Sequence, residues 1–158
     1  MAKRSAGVLM WKRDEGGARR VLLVHPGGPF WAGKDAGAWT IPKGEYALDE
    51  DALTTAKREF GEELGAAAVA LMRQAGAAQF APLGDIRQKG GKVVTAFAFE
   101  GDLDAGNIQS NTFEMAWPKG TKPRVFPEVD RAQWFTLEEA AGKINEAQRA
   151  FLERLAAL

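Results

Sequence analysis

The chain has 158 residues, of which 46% are hydrophobic and 27% charged, values that suit one globular domain over residues 1–158. Because its 21 basic and 21 acidic residues cancel, net charge gives no argument for a nucleic-acid or membrane partner, and the absence of cysteine excludes disulfides and Cys-ligated zinc. No apolar run approaches the ~20 residues of a membrane span. The N-terminal apolar run, about six residues long, is too short for a signal peptide, so we expect a soluble, cytoplasmic protein.

Two strands are predicted at the start of the chain, over residues 6–11 and 19–25, joined by a polar turn. The second contains four consecutive apolar residues, 21–24, which is typical of a strand buried on both faces. His25, the only histidine in the sequence, closes this strand. A lone histidine is more often structural than catalytic, and alone it cannot form a histidine metal site.

Residues 26–40 form a segment rich in glycine and proline that contains Trp31 and Trp39. Aromatic rings exposed in a loop are available to stack on a base, so both tryptophans are predicted substrate contacts. Trp31 lies between Phe30 and small residues and is the expected base contact. Trp39 leads into an apolar strand, and a position in the core is its alternative. A flexible loop without any binding role is the alternative for the whole segment.

The stretch 44–66 has a distinctive spacing, which reads Gly44, five residues, Glu50, seven residues and then Arg58-Glu59-Phe60-Gly61-Glu62-Glu63-Leu64-Gly65-Ala66. Apolar residues from position 53 onward recur with the period of a helix that ends at Gly65. Glu59, Glu62 and Glu63 are three and four residues apart, so they share one face, where like charges repel each other. A cation would neutralise them, and oxygen ligands suit Mg²⁺, Mn²⁺ or Ca²⁺. A solvated acidic face is the alternative for these glutamates taken alone.

This spacing resembles the Nudix box, G-x5-E-x7-R-E-U-x-E-E-x-G-U, in which U is a bulky aliphatic residue. Every fixed position of the box is matched. At the U positions Phe60 is aromatic and Ala66 is small, but both are apolar, so they affect packing more than chemistry. The chain is therefore identified as a member of the Nudix family. The resemblance implies an α/β fold in which a mixed β-sheet is sandwiched between α-helices.

The resemblance also implies how the box would bind a metal ion. Glu59 and Glu63 would be the principal ligands, Glu62 would support them directly or through water, and the carbonyl of Gly44 or of a neighbour would complete the shell. Mg²⁺ is the expected cofactor, and Mn²⁺ is the expected substitute. The reaction implied is metal-dependent hydrolysis of the diphosphate linkage in a nucleoside diphosphate joined to another group.

Three residues around the box receive roles from the same resemblance. Glu50 would pair with Arg58, which braces the loop and orients Glu59, so both belong to the predicted catalytic set together with Glu59. Lys43 lies in the run W-x-x-P-K-G that leads into the box. It would contact phosphate oxygens as a point charge, and a solvated surface lysine is the alternative.

After the box, the pattern predicts mainly strands and then two helices. Thr136-Leu137-Glu138-Glu139 is a capping box that opens a helix to about residue 145. A second, amphipathic helix over residues 146–158 would turn Phe151, Leu152 and Leu155 inward. The predicted strands are residues 79–87, 93–100, 111–117 and 129–135.

Members of the family often use one more acidic residue, beyond the box, as a ligand or general base. Glu128 is the expected residue here, because comparable glutamates precede the last tryptophan-containing strand in MutT-type and RNA pyrophosphohydrolase-type members, and Glu128 lies six residues before Trp134. A loop carboxylate in water is the alternative for Glu128. Glu114 is the alternative base.

The substrate is less sharply indicated than the reaction. The P-K-G run and the closing P-E-V-D-x-x-x-W-F are similar to those of diadenosine polyphosphate and RNA 5′-pyrophosphate hydrolases, so a dinucleoside polyphosphate or nucleoside triphosphate is expected. MutT-type sanitation of oxidised triphosphates and a nucleotide-binding regulatory module without turnover are the alternatives. A small nucleotide is the expected partner, since net charge gives no support to an RNA 5′ end. Lys119, Lys122 and Arg124 form either a solvated loop or a polyphosphate contact.

Overall fold

The structure, a computed structural model, describes residues 3–158, which contain eight strands and four α-helices. The strands are Arg4–Arg13 (β1), Arg19–Pro26 (β2), Lys43–Glu45 (β3), Phe80–Arg87 (β4), Val93–Glu100 (β5), Thr112–Met115 (β6), Arg124–Pro127 (β7) and Val129–Thr136 (β8). The helices are Ala52–Leu64 (α1), Ala66–Gln74 (α2), Leu137–Lys143 (α3) and Arg149–Ala156 (α4).

Six of the strands form one mixed sheet in the order β4-β5-β1-β2-β8, and β3 pairs with β1 off this path. β1 and β5 are parallel over eight residue pairs, from Arg4 opposite Val93 to Trp11 opposite Glu100, whereas the other pairs in the sheet are antiparallel. β6 and β7 form a separate two-stranded ribbon. The parallel register brings the turn before β5 next to the start of β1.

Helices cover both faces of the sheet. Side chains of β1 alternate, so that Val8 packs in the cluster with α1 and α2 while Leu9 packs in the cluster with α3 and α4. Residues 21–24 of β2 are fully buried, as the continuous apolar run predicts. The expected fold class, a mixed sheet between α-helices, is confirmed. No helix within residues 3–158 is long and apolar enough to cross a membrane.

α1 forms where the sequence predicts it, because its signals are local. Asp51 caps its N-terminus by accepting a hydrogen bond from the Thr54 backbone N–H (3.0 Å), and Phe60 and Leu64 are buried on its apolar stripe. Gly65 ends the helix with a φ of 102°, a left-handed value that disfavours other residues.

Two elements differ from the sequence prediction. The chain continues after Gly65 as the helix α2 and not as a strand, because the alanine-rich sequence of this segment has high helix propensity. α2 also packs tightly on α1, since a Cβ at Gly61 of α1 would lie 2.7 Å from Val69 of α2. The segment predicted as a basic loop contains β7, which pairs with β6, and the predicted strand over residues 111–117 is limited to β6. Prolines around β7 indicate a loop, but they are tolerated in such an edge strand.

The C-terminal segment has the predicted helices. Thr136 caps α3 through the capping box, accepting from Glu139 N–H (3.1 Å) while the Glu139 carboxylate accepts from Thr136 N–H (2.9 Å). The second helix is shorter than predicted, because Glu146–Gln148 forms a 3₁₀ turn before α4 begins. Phe151, Leu152 and Leu155 are buried as expected.

Candidate active site

A cavity of about 360 Å³ lies between α1, β3 and the segment that precedes β8. Six residues singled out by the sequence meet there, although they come from three separate parts of the chain. Four further residues that no sequence pattern indicates complete the lining. The lining residues are Ser5, Lys43, Gly44, Glu45, Glu59, Glu62, Glu63, Lys92, Asn111 and Glu128.

The contact between Glu59 and Gly44 joins the helix of the box to the strand before it. A Cβ at Gly44 would lie well under 3.0 Å from the carboxyl carbon and both carboxyl oxygens of Glu59, closer than real Cβ atoms approach. Glycine is therefore required at position 44, because only its bare Cα leaves room for the carboxylate. The Glu59 side chain is only 14% exposed, so its position is fixed by this packing.

Arg58 links three carboxylates at the edge of the cavity. Its guanidinium lies 3.6 Å from Glu50, 3.3 Å from Glu59 and 3.4 Å from Glu62. The expected ion pair between Glu50 and Arg58 is thus present, and Glu50 also accepts a hydrogen bond from the Ala47 backbone N–H (2.9 Å). These contacts hold the loop before α1 against the helix. Because Arg58 is half exposed, solvent screens each of these pairs.

The carboxylates are crowded and partly dehydrated. The pKa of Glu63 is raised to about 8, chiefly by burial and then by the charges of Glu59 and Glu128, against the opposing effect of Lys43. Burial is also the largest cause of a raised pKa at Glu59. The charge of Glu62 raises this pKa by a smaller amount, and the charge of Arg58 partly offsets the increase. The protein alone therefore leaves negative charge in this cavity insufficiently compensated.

The donor set fits a hard divalent cation. The cavity offers carboxylate oxygens and the backbone next to Gly44, and it also contains the Ser5 hydroxyl, a buried polar group that has no hydrogen-bond partner among residues 3–158. Within the same residues, no group of three or more His, Asp or Glu side chains is arranged so that it could hold a metal ion by itself. Mg²⁺ does not need one, because it keeps several waters and takes one or two carboxylates together with substrate phosphates.

Glu128 is held firmly at the other side of the cavity. Its backbone N–H donates to the Asn111 carbonyl (2.9 Å), and its carbonyl accepts from the Gly27 N–H (2.9 Å). Glu59, Glu63 and Glu128 line the same cavity, and the charge of Glu128 raises the pKa of both Glu59 and Glu63. Glu114, the alternative base, lies on β6 and is not one of the lining residues of this cavity.

The two predicted tryptophan contacts differ in exposure. Trp39 is 1% exposed and packs edge-on against His25 and Phe135, while its indole N–H donates to Asp35 (2.8 Å). The prediction that Trp39 contacts the substrate is therefore corrected. Trp39 is a core residue, because no face of its ring is open to a base. Trp31 is partly exposed and lies edge-on to Phe30, with ring centroids 5.0 Å apart.

His25 holds the loop that carries Trp31. One ring nitrogen lies 2.8 Å from the Asp130 carboxylate and the other 2.6 Å from the Lys34 carbonyl. With 2% of its surface exposed, His25 has the structural role that the sequence favours for a lone histidine. The same loop contacts the β6–β7 ribbon, since a Cβ at Gly28 would lie 2.9 Å from the Phe113 ring.

Ser5, Glu45, Lys92 and Asn111 are the cavity residues that sequence reasoning misses. Each is an ordinary polar residue in a strand or turn, and no motif distinguishes it. Lys92 reaches the cavity because β5 pairs in parallel with β1. Such long-range pairing leaves no mark on the local sequence.

Comparison with known proteins gives a consistent picture. The domain family that matches is the NUDIX domain, over residues 1–155. A C. elegans Ap4A hydrolase binary complex is 19% identical with a TM-score of 0.62, and the match covers 99% of this chain and 96% of that one. The NUDIX domain of Shewanella oneidensis NrtR complexed with ADP ribose is 16% identical (TM-score 0.62; 99% and 88% covered), and a MutT protein from Methanosarcina mazei Go1 is 20% identical (TM-score 0.56; 99% and 95% covered). None of the curated proteins matches the sequence. At these identities the structural similarity establishes a shared fold.

Proposed function

The chain belongs to the Nudix family and is a pyrophosphohydrolase of that family, and we propose that it uses a divalent cation to cleave the diphosphate linkage of a nucleotide. The proposed substrate is a dinucleoside polyphosphate or a nucleoside triphosphate. One observation carries the proposal, the cavity in which Glu59, Glu62 and Glu63 of α1 meet Glu128 and Lys43. It combines surplus negative charge, which suits a cation, with a lysine that suits phosphate.

Glu59, Glu63 and a backbone carbonyl at Gly44 would hold the cation, with Glu62 as their support. When bound, Mg²⁺ supplies charge neutralisation at the phosphates and a more acidic water. The packing of Glu59 against Gly44 fixes one carboxylate without the cation, so part of the site is preorganised.

Lys43 and Glu128 have complementary proposed roles. Lys43 extends from β3 into the cavity and carries a point charge there. Its pKa is lowered chiefly by burial and secondly by the charge of Lys92. It would bind a phosphate oxygen that the carboxylates repel. Glu128 would accept the proton of the attacking water, because its backbone is fixed by two hydrogen bonds and it lines the same cavity as Glu59 and Glu63.

The structural neighbours support only the general class of substrate, a nucleotide with linked phosphates. One is an Ap4A hydrolase and another is bound to ADP ribose, and both of these nucleotides contain linked phosphates. Because another structural neighbour is a MutT protein, sanitation of oxidised triphosphates is the second candidate function. A regulatory module without turnover would not need so many carboxylates in one cavity.

A substrate panel with Mg²⁺ tests the proposal. It would contain dinucleoside polyphosphates, ordinary and oxidised nucleoside triphosphates, ADP ribose and nucleotide sugars, and would measure the products by chromatography. We expect hydrolysis of at least one polyphosphate, lost in excess EDTA and in Glu63→Gln. Turnover of none of them, together with nucleotide binding, would instead favour the regulatory module.

A further inference from the structure

The β6–β7 ribbon begins at the wall of the cavity, although its strands have no part in the proposed mechanism. β6 and β7 pair antiparallel, and the hydrogen bond from the Glu128 N–H to the Asn111 carbonyl (2.9 Å) continues their ladder at its base. Asn111 and Glu128 both line the cavity. The two strands of the ribbon therefore extend away from the cavity from its edge.

The base of the ribbon is fixed against the elements around it. The Asn111 N–H donates to the Glu62 carbonyl of α1 (2.9 Å). On the other side, a Cβ at Gly28 would lie 2.9 Å from the Phe113 ring, so the ribbon packs closely on the loop that carries Trp31. The position of the ribbon relative to the carboxylates of α1 is thus defined by direct contacts.

The two faces of the ribbon differ in exposure, because side chains alternate along each strand. Phe113 follows Asn111 by two residues, so the face that carries Phe113 is the one that continues from the cavity wall. We call it the inner face. Its half-buried residues are Phe113, Met115 and Phe126, whereas the residues of the outer face, Thr112, Glu114, Val125 and Pro127, are exposed.

The inner face offers flat aromatic surface next to one cation. Phe113 and Phe126 lie opposite each other on the two strands, with ring centroids 5.9 Å apart, and the Arg124 guanidinium lies 5.4 Å from the Phe126 ring centroid. Aromatic rings and guanidinium planes are the groups on which unpaired bases stack. Two residues of a strand span about 7 Å, so Phe113 is separated from the cavity by a length that a ribose bridges between a phosphate and its base.

We infer that the inner face of the β6–β7 ribbon stacks on a base of the nucleotide whose phosphates occupy the cavity. Phe113 and Phe126 form the stacking surface, and Arg124 adds a cation at its far end. This inference rests on the proposed function and specifies where a nucleoside of the substrate lies. A dinucleoside polyphosphate has two bases, so the ribbon and Trp31 can each stack on one of them.

Direct binding without turnover tests the stacking surface. Two probes that contain the same phosphate chain would be titrated calorimetrically with Mg²⁺, an adenosine triphosphate analogue and a tripolyphosphate, both with methylene groups in place of the bridging oxygens. Phe126→Leu keeps an apolar side chain but removes the ring. It should bind the adenosine analogue about tenfold more weakly, equivalent to ~1.4 kcal/mol. Its affinity for the tripolyphosphate should change by less than about twofold, because that probe has no base.

Variants of the same ribbon separate stacking from a general disturbance. Val125→Ala truncates the neighbouring residue, which is 60% exposed on the outer face, and should leave both affinities unchanged. Phe126→Tyr keeps the aromatic ring and should bind the adenosine analogue as the wild type does. Phe113→Leu, on the other strand, should show the same selective loss and replaces Phe126→Leu if thermal unfolding shows the latter to be unfolded.

Equal losses for the two probes, or no loss of the adenosine analogue in either leucine variant, would overturn the inference. A wild type that binds both probes equally well would also overturn it, since the base would then contribute nothing. The substrate panel tests the proposed function separately. A wild type that binds the adenosine analogue through Phe126 but hydrolyses nothing would refute hydrolysis alone.

Discussion

Gly44→Ala is expected to abolish most of the activity while the protein still folds. The new Cβ would come well under 3.0 Å from all three carboxyl atoms of Glu59. The backbone at Gly44 does not have a left-handed φ, so alanine introduces no dihedral strain there. The conflict is therefore confined to the carboxylate that we propose as a principal metal ligand.

The size of the effect follows from the geometry. Non-bonded carbon atoms pack at about 3.5–4.0 Å, whereas the new Cβ would lie at about half that distance from the Glu59 carboxyl carbon, so the carboxylate must move by roughly 1.5–2 Å. A misplacement of about 1 Å in a reacting group can cost on the order of 10²-fold in rate, and we expect kcat to fall by at least this factor. Because the carboxylate can move towards the open cavity, stability should fall by no more than about 1 kcal/mol, the lower end of the overpacking range.

Steady-state kinetics, metal titration and thermal unfolding of the variant provide the assay. Gly142→Ala is the matched control, since a Cβ at this position in α3 meets nothing within 4 Å. It should keep wild-type kcat and metal affinity. If Gly44→Ala also keeps both, then Glu59 is not a metal ligand and the packing at Gly44 has no catalytic importance.

Four further predictions concern the site and its surroundings. Glu63→Gln should lower kcat by on the order of 10²-fold or more, because a catalytic metal contributes several kcal/mol. Since the pKa of Glu63 is raised from 4.5 to about 8, its contribution to the stability of the metal-free wild type should be full below pH 4.5 and be lost as pH rises to about 8. Thermal unfolding in EDTA should show that Glu63→Gln lacks this decline between pH 4.5 and about 8. Arg58→Ala should lower both melting temperature and activity but reduce metal affinity less than Glu59→Gln does; abolished turnover at an unchanged melting temperature would place Arg58 on the substrate. Trp31→Ala should raise KM about tenfold with little change in kcat, since stacking contributes roughly 1–3 kcal/mol, and an unchanged KM would move the base site towards residues 113–117.

The sequence determined those elements whose signals lie within a few residues of each other. α1 follows from its apolar period, the Asp51 cap and Gly65, and α3 follows from the capping box at Thr136. The three glutamates of α1 share a face because helical geometry alone places residues three and four apart together. These features depend on the local backbone and need no information about distant segments.

The tertiary structure decided what depends on packing between distant segments. α2 lacks a strong apolar stripe and is positioned by its contact with α1, and β7 is stabilised by β6. Trp31 and Trp39 lie in the same segment, which is rich in glycine and proline, and only the burial of Trp39 in the core distinguishes them.

The residues of the site also divide into those that local sequence predicts and those that only the tertiary structure brings in. Glu59, Glu62 and Glu63 are predictable from one helix. Ser5 joins them through the pairing of β1 with β3, and Lys92 through the parallel pairing of β1 with β5 across about 90 residues of chain. Strand pairing places side chains by register, and the register is set by the packing of the whole sheet. The sequence therefore determined the acidic residues of α1, and the tertiary structure added a second lysine, Lys92, to the cavity that they line.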